Sequence, residues 1–168
     1  MFDTVMPIGG GADYKRNAKL LKGKAKRSKN FSYIFESLSA QGDFMSIKYE
    51  LGRDIRTAYK AGDKAKLKEY IKELSLAIKK AEVFHTKHYA LWMKENKPQG
   101  FEVQDARIGG LIQRLKTYKN MLNAYIEGTL DKIAELEEPV LDMTWEKDGG
   151  NHFVCYNGWR VNVTAGVM

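Results

Sequence analysis

The chain has little cysteine and proline, and it lacks any long apolar run. Cys155 is the single cysteine among 168 residues, which excludes an internal disulfide. No stretch reaches the ~18 apolar residues of a membrane-spanning helix, so no membrane partner is expected. Residues 1–11 lack a basic region followed by an apolar stretch, and we interpret them as a glycine-rich lead-in or linker rather than a signal peptide. The compartment stays open between the cytoplasm, which we favour, and an extracytoplasmic location.

Motifs for metal sites and nucleophilic catalysis are also missing. His85 and His88 have the i, i+3 spacing of two helical metal ligands, but no His-Glu-x-x-His motif, cysteine pair or dense acid cluster accompanies them. Their place in an apolar stripe favours near-core histidines, so no metal or cofactor is predicted. His152 and Cys155 are three residues apart on a predicted strand and therefore point to opposite faces. A Cys–His nucleophile is not predicted, and no catalytic residue is assigned.

The formal charge of +7 is unevenly distributed along the chain. Residues 15–29 carry eight lysines and arginines and no acid, whereas residues 127–138 are acidic. We interpret these segments as solvated helix faces. An alternative is that residues 15–29 bind nucleic acid or another polyanion, because basic clusters attract phosphates. No nucleic-acid motif accompanies the stretch, so nucleic acid is not the partner that we favour.

Hydrophobic periodicity predicts an antiparallel helical bundle over residues 12–139. Phe31, Ile34, Phe35 and Leu38 have the spacing of a core-facing helix side. Gly62 and Asp63 are typical of a helix end followed by a new N-cap. The predicted elements are four long helices and one short one: about 12–39, 44–61 after a turn at 41–43, 64–95, one from about 101 to 128, and a short acidic helix ending near Glu138.

Residues 140–168 change to an alternating pattern. Asn157-Gly158 is a strong signal for a two-residue hairpin turn between 152–156 and 159–164. The sequence therefore predicts a small antiparallel β-meander packed on the bundle. The predicted fold class is mainly α, an antiparallel helical bundle with a C-terminal β-meander, in a single domain.

The segment between Glu95 and Leu111 gives the most specific information about the local structure. Pro98 and Gly100 end one helix, and the next helix contains Gly109-Gly110. Each glycine inside a helix costs roughly 1 kcal/mol relative to alanine. The pair therefore suggests that another backbone, or a ligand, comes close to this face.

This run, continued to Leu115, resembles the C-terminal helical region of bacterial β-N-acetylhexosaminidases of glycoside hydrolase family 20. The similarity extends more loosely from Leu51–Tyr59 to Ile133–Glu138, and Tyr156–Trp159 with Val163–Ala165 is similar to the end of those enzymes. The resemblance implies an exo-acting parent enzyme that removes terminal N-acetylglucosamine or N-acetylgalactosamine with the help of a neighbouring Asp–Glu pair. The chain has no Asp-Glu dipeptide, so we expect no activity from it alone.

The resemblance implies a non-catalytic accessory domain that packs on the catalytic barrel of the same protein and meets glycan only through that parent. The candidate residues for the interdomain surface or the rim of the sugar pocket are Arg53, Trp92, Lys97, Phe101, Glu102, Asp105, Arg107, Gly109, Gly110 and Arg114. Two local alternatives stay open. Glu102 and Asp105 can act as charges at a helix start, and Trp92 and Phe101 can belong to the core. Direct sugar recognition through Trp145 and Trp159 is a further alternative.

Overall fold

In a computed structural model, the structure describes residues 9–139 of the protein. Four long helical segments run antiparallel to their neighbours, and a short helix follows them. The elements are α1 (Gly10–Arg27), α2 (Ser32–Lys60), α3 (Lys64–Glu95), α4 (Phe101–Gln104), a π-helical turn (Asp105–Gly109), α5 (Gly110–Glu127) and α6 (Ala134–Glu137). Helix α4, the π turn and α5 are continuous in sequence, so they form one long segment with a local change of winding.

The predicted fold class is corrected by this structure. Residues 9–139 form helices and connecting turns and contain no β-strand. The fold of the described chain is therefore all-helical, and the mixed class with a β-meander is wrong. The segment to which the meander was assigned, 140–168, lies outside the described residues.

The predicted turn at residues 41–43 is wrong as well, because these residues lie inside the continuous helix α2. The chain instead breaks earlier, at residues 28–31, between α1 and α2. Gly42 is a contact point: a Cβ built there would lie 3.1 Å from the Cβ of Ala18 and 3.3 Å from the carbonyl oxygen of Tyr14. A missing side chain thus lets α1 approach α2 closely, and the same glycine suggests a turn when read from sequence alone.

Helix α3 and the turn before it agree with the prediction. Gly62 has a φ of +66°, in the left-handed region that favours glycine. The Asp63 carboxylate accepts a hydrogen bond of 2.9 Å from the backbone N–H of Lys66, which caps the helix. At 1.5 Å per residue α3 is roughly 48 Å long. None of the helices in the described part of the chain is both long and apolar enough to cross a membrane.

The hydrophobic core lies between α2, α3 and α5 and is closed by the segment around α6. Its fully buried members include Leu51, Ile55, Leu67, Leu74, Leu115, Leu122, Ile133 and Leu136. The last two follow α5 by several residues, so the acidic end of the described chain contributes two apolar side chains to the core. A solvated acidic face and a buried apolar face therefore coexist in this short segment.

The stripe predicted to turn toward the core at the start of α2 does so only in part. Phe31 is 56% exposed and Leu38 is 44% exposed, whereas Ile34 and Phe35 are half-buried. In this stretch α2 uses another side to contact α1, as shown by the Ser39 hydroxyl, which donates to the backbone oxygen of Ala18 at 3.0 Å. The prediction of a core-facing stripe is thus wrong for Phe31 and Leu38.

Candidate functional site: an aromatic corner beside a glycine notch

Five rings meet where α3 ends and α4 begins. Phe101 is only 3% exposed, and its ring centroid lies 5.1–5.9 Å from those of His85, His88, Tyr89 and Trp92. We refer to these five residues as the aromatic corner. Phe101 is therefore buried by its own domain and acts as the anchor that attaches α4 to α3. Tyr89 and Trp92 form the outer part of the corner and keep exposed ring surface.

The connection between α3 and α4 is held by specific backbone contacts. The indole N–H of Trp92 donates to the carbonyl oxygen of Lys97 at 2.9 Å. Gly100 has a φ of +101°, and a Cβ there would lie 3.4 Å from the Trp92 ring. Its N–H donates to the Glu102 carboxylate at 2.7 Å. Glu102 thus stabilises the start of α4, as the local interpretation predicted, while the Lys97 side chain is exposed.

The π-helical turn at Asp105–Gly109 was not predicted. Nε2 of His85 lies 2.6 Å from Oδ1 of Asp105, which joins the first residue of the turn to α3. Ile108 is buried on the inner side, and Arg107 is exposed on the outer side. Single π turns inside helices are rare and are found frequently at functional sites. The consecutive glycines were the only sequence signal for an irregular helix at this position.

Gly109 and Gly110 form an open notch on this segment. Their φ and ψ values, −61° and −43° for Gly109 and −60° and −42° for Gly110, are those of an ordinary right-handed helix. Apart from the adjacent backbone of the same helix, a Cβ built at either residue would meet no atom of the described residues within 4 Å. Neither backbone conformation nor crowding by the bundle therefore requires glycine here. Among residues 9–139, no side chain fills the notch.

Large apolar side chains are exposed at the same end of the bundle. They include Tyr89 (49%), Phe31 (56%) and Leu38 (44%). The start of α2 and the end of α3 are neighbours, because Tyr33 donates a hydrogen bond to the Glu95 carboxylate. Exposed apolar side chains that gather in one region are typical of interaction sites. We refer to this region, together with the aromatic corner and the glycine notch, as the aromatic end.

Arg114 and Arg53 do not join this group. Nε of Arg114 donates to the Tyr118 hydroxyl at 3.0 Å, and its guanidinium pairs with the Glu135 carboxylate. Burial, together with Glu135, raises the pKa of Tyr118 to about 12, so this phenol stays protonated at physiological pH. Arg53 lies on α2, where it pairs with Asp54 at 3.0 Å. Both arginines make contacts within the bundle.

Arg56 and Tyr59 of α2 hold the end of the described chain. The Arg56 guanidinium donates to the backbone oxygens of Glu135, Leu136 and Glu138 at 3.0–3.2 Å. The Tyr59 hydroxyl donates to the Glu137 carboxylate at 2.5 Å and accepts from the backbone N–H of Ile133 at 3.1 Å. These contacts span almost eighty residues of sequence, and no local pattern identifies them.

A metal role for the two histidines finds no support from the geometry. In the part of the chain between residues 9 and 139, no three His, Cys, Asp or Glu side chains are grouped so that they could hold a metal ion. His88 stacks on Phe84 with ring centroids 5.6 Å apart. Burial, with a smaller effect of His85, lowers the pKa of His88 below its usual value. His88 therefore behaves as a neutral packing residue.

Residues 9–139 form an all-helical domain whose polar contacts serve mainly to fix its own elements, and Gly109 and Gly110 have open space in front of them. Residues 1–155 match the family described as the Glycoside Hydrolase 20C C-terminal domain, and the chain belongs to this family. A comparison with individual curated proteins finds no significant match. This match confirms the resemblance of the run from Glu95 to Leu115 to the C-terminal domain of a glycoside hydrolase family 20 enzyme.

Proposed function

We propose that the chain is a non-catalytic accessory domain of a β-N-acetylhexosaminidase and packs through its aromatic end on the catalytic barrel of the same protein. The parent enzyme would remove terminal N-acetylglucosamine or N-acetylgalactosamine from glycans. Membership of a family of C-terminal domains of glycoside hydrolases supports the assignment to such an enzyme. The open glycine notch is the observation that carries the choice of surface.

The notch favours a partner because two helical glycines together cost roughly 2 kcal/mol relative to alanine. Two other helical glycines of this chain have a visible purpose, whereas Gly23 of α1 also faces open space. Gly11 and Gly42 lie against α2 and α1 with almost no room for a Cβ. Gly109 and Gly110 have free space in front of them. If a backbone or side chain of the barrel entered this space, Gly109 and Gly110 would permit a close contact with it, as Gly11 and Gly42 do between α1 and α2.

The rest of the aromatic end has the composition of a protein interface. Trp92 and Tyr89 are aromatic residues, a type that is enriched in interface cores, and both keep accessible surface. Lys97, Glu102 and Arg107 are exposed around them and would form a polar rim. The hydrogen bond from Trp92 to the Lys97 backbone fixes the ring before any partner arrives. A fixed ring loses little conformational entropy on binding.

Co-production of this chain with the catalytic domain of the parent tests the proposal. We expect the two polypeptides to copurify, and we expect the catalytic domain to have a higher unfolding temperature and a higher hydrolytic rate with the chain than without it. The chain alone should not hydrolyse aryl N-acetylglucosaminides. A catalytic domain that is equally stable and active without this chain, and that does not copurify with it, would contradict the proposal.

A further inference from the structure

A cavity lies between α1, α2 and α3, and neither Gly109 nor Gly110 lines it. It has a volume of 530 Å³, which falls in the range of small-molecule sites, roughly 300–1,000 Å³. Helix α1 contributes Lys22 and Lys26, and α3 contributes Lys80 and Lys87. The proposed interdomain role does not use this cavity.

We refer to the uncharged lining residues as the base of the cavity and to the charged ones as its walls, and the base residues are small. Ala25 of α1, Ser39 and Ala40 of α2, and Val83 of α3 line the cavity where three helices would otherwise interdigitate larger side chains. The Ser39 hydroxyl is already engaged with the carbonyl oxygen of Ala18. The base is therefore mainly apolar, and the charged groups stand on the walls.

The walls carry four ammonium groups and only two carboxylates. The Asp43 Oδ2 atom lies 2.6 Å from Nζ of Lys22 and 3.5 Å from Nζ of Lys80. Lys87 pairs with Glu36 at 2.7 Å. Among the described residues, no carboxylate oxygen lies within salt-bridge distance of Lys26. The cavity therefore has two more positive than negative charges.

Shared use of one carboxylate brings like charges together. Because Lys22 and Lys80 contact the same oxygen of Asp43, their ammonium groups cannot be more than about 6 Å apart, and at this distance their repulsion is appreciable in a partly enclosed site. Ion pairing between helices would need only one lysine for each acid. One doubly negative anion would neutralise the surplus of two positive charges.

We propose that this cavity binds a small ligand that carries a phosphate or sulfate group. The anionic group is held by Lys22, Lys26 and Lys80, whose ammonium groups each offer three hydrogen-bond donors. The apolar base formed by Ala25, Ala40 and Val83 contacts the body of the ligand. The site differs from a diffuse polyanion-binding face on residues 15–29, because it needs lysines from α3 as well as from α1.

The test is a titration of the full 168-residue chain with inorganic phosphate at constant ionic strength, followed by amide chemical shifts. We expect saturable shifts at backbone amides of residues 22–26 and 80–87. The variant Lys26→Met should weaken binding about tenfold, since a hydrogen bond to a charged group is removed. The variant Lys24→Met is the matched control: it removes the same charge from the same helix, but Lys24 does not line the cavity. It should change the affinity by less than about twofold.

Three results would overturn the proposal. The first is a shift that rises linearly with phosphate and does not saturate. The second is an equal loss of affinity in Lys24→Met and Lys26→Met, which would indicate diffuse attraction to α1. The third is an unchanged affinity in the Lys80→Met variant, which would show that α3 takes no part. A parallel titration with sulfate tests the selectivity of the site. Weaker binding of sulfate than of phosphate would indicate a site selective for phosphate, and equal binding would indicate general recognition of dianions.

Discussion

Nε2 of His85 and Oδ1 of Asp105 lie 2.6 Å apart, and this contact connects the middle of the longest helix to the first residue of a π-helical turn. The two side chains are partly exposed, so the contact positions the turn more than it stabilises the whole domain. Together with the burial of Phe101 against α3, it fixes the direction in which the next helix leaves the aromatic corner. The glycine notch is placed by the same contact.

The variant Asp105→Ala should loosen the π turn with little effect on the rest of the domain. We expect faster hydrogen exchange at the amides of residues 105–110 and a decrease of less than about 1 kcal/mol in the free energy of unfolding, because exposed ion pairs contribute little. Asp13→Ala is the control, since Asp13 forms an exposed ion pair with Arg16 on α1. Faster exchange throughout the bundle in Asp105→Ala would contradict a local role.

The close approach of α1 and α2 at Gly42 predicts a strong effect of a larger residue. A leucine there would collide with Ala18 and with the backbone of Tyr14, so Gly42→Leu should lower the free energy of unfolding by about 1–3 kcal/mol. Gly23→Leu is a matched control inside α1, because a Cβ at Gly23 meets nothing within 4 Å. Urea unfolding followed by circular dichroism measures both. Equal stability of the two variants would show that Gly42 is not a contact point.

The burial of His88 predicts that acid destabilises the domain. The pKa of His88 is lower in the folded state than its usual value of 6.5, so the unfolded chain takes up this proton first. The part of the free energy of unfolding that depends on a neutral His88 is fully present above about pH 6.5. It is lost as the pH falls through the range between the pKa of His88 in the unfolded chain and its lower pKa in the folded chain. His88→Phe keeps an aromatic ring against Phe84 and removes the titration.

The comparison of interest is the free energy of unfolding of the original chain and of His88→Phe at pH 7.5 and at pH 5. We expect the original chain to lose more stability than the variant over this interval. Carboxylates that titrate in the same range are common to both proteins and cancel in the difference. Parallel pH profiles of the two proteins would show that His88 is equally basic in the folded and unfolded chain.

The notch glycines should limit the stability of the isolated domain. Because both have ordinary helical backbone angles and free space beyond the Cα, Gly109→Ala and Gly110→Ala should each raise the free energy of unfolding by roughly 1 kcal/mol. Thermal unfolding of the full chain measures this gain. A loss of stability in either alanine variant would mean that the bundle itself needs glycine at that position.

The sequence predicted the elements whose pattern is long and regular. Helix α3 carries an uninterrupted apolar stripe bounded by Asp63 and Pro98, and its observed bounds agree with the prediction. Gly42 misled the prediction because glycine serves both turns and close helix contacts, and only the position of α1 distinguishes them. Phe31 and Leu38 have the spacing of core residues on a helix. The faces of α2 that pack in the domain, however, are those that contact α1 and α3.

The structure brings together only some of the predicted site residues, for a similar reason. Trp92, Phe101, Glu102 and Asp105 lie close in sequence around one turn, so they also lie close in space. The family resemblance led us to assign Arg53 and Arg114 to the same surface. They contact residues such as Glu135 and Asp54 instead. Such contacts depend on tertiary packing, and no short sequence motif predicts them.

The most direct test of the docking surface is the dissociation constant between this chain and the catalytic domain for two leucine variants. Gly110→Leu and Gly23→Leu each place a large side chain on a helical glycine whose Cβ would meet no described residue of another part of the chain within 4 Å. We predict at least a tenfold weaker complex for Gly110→Leu and an unchanged one for Gly23→Leu. An unchanged dissociation constant for Gly110→Leu, in a variant that is folded, would contradict the central claim that the notch faces the catalytic barrel.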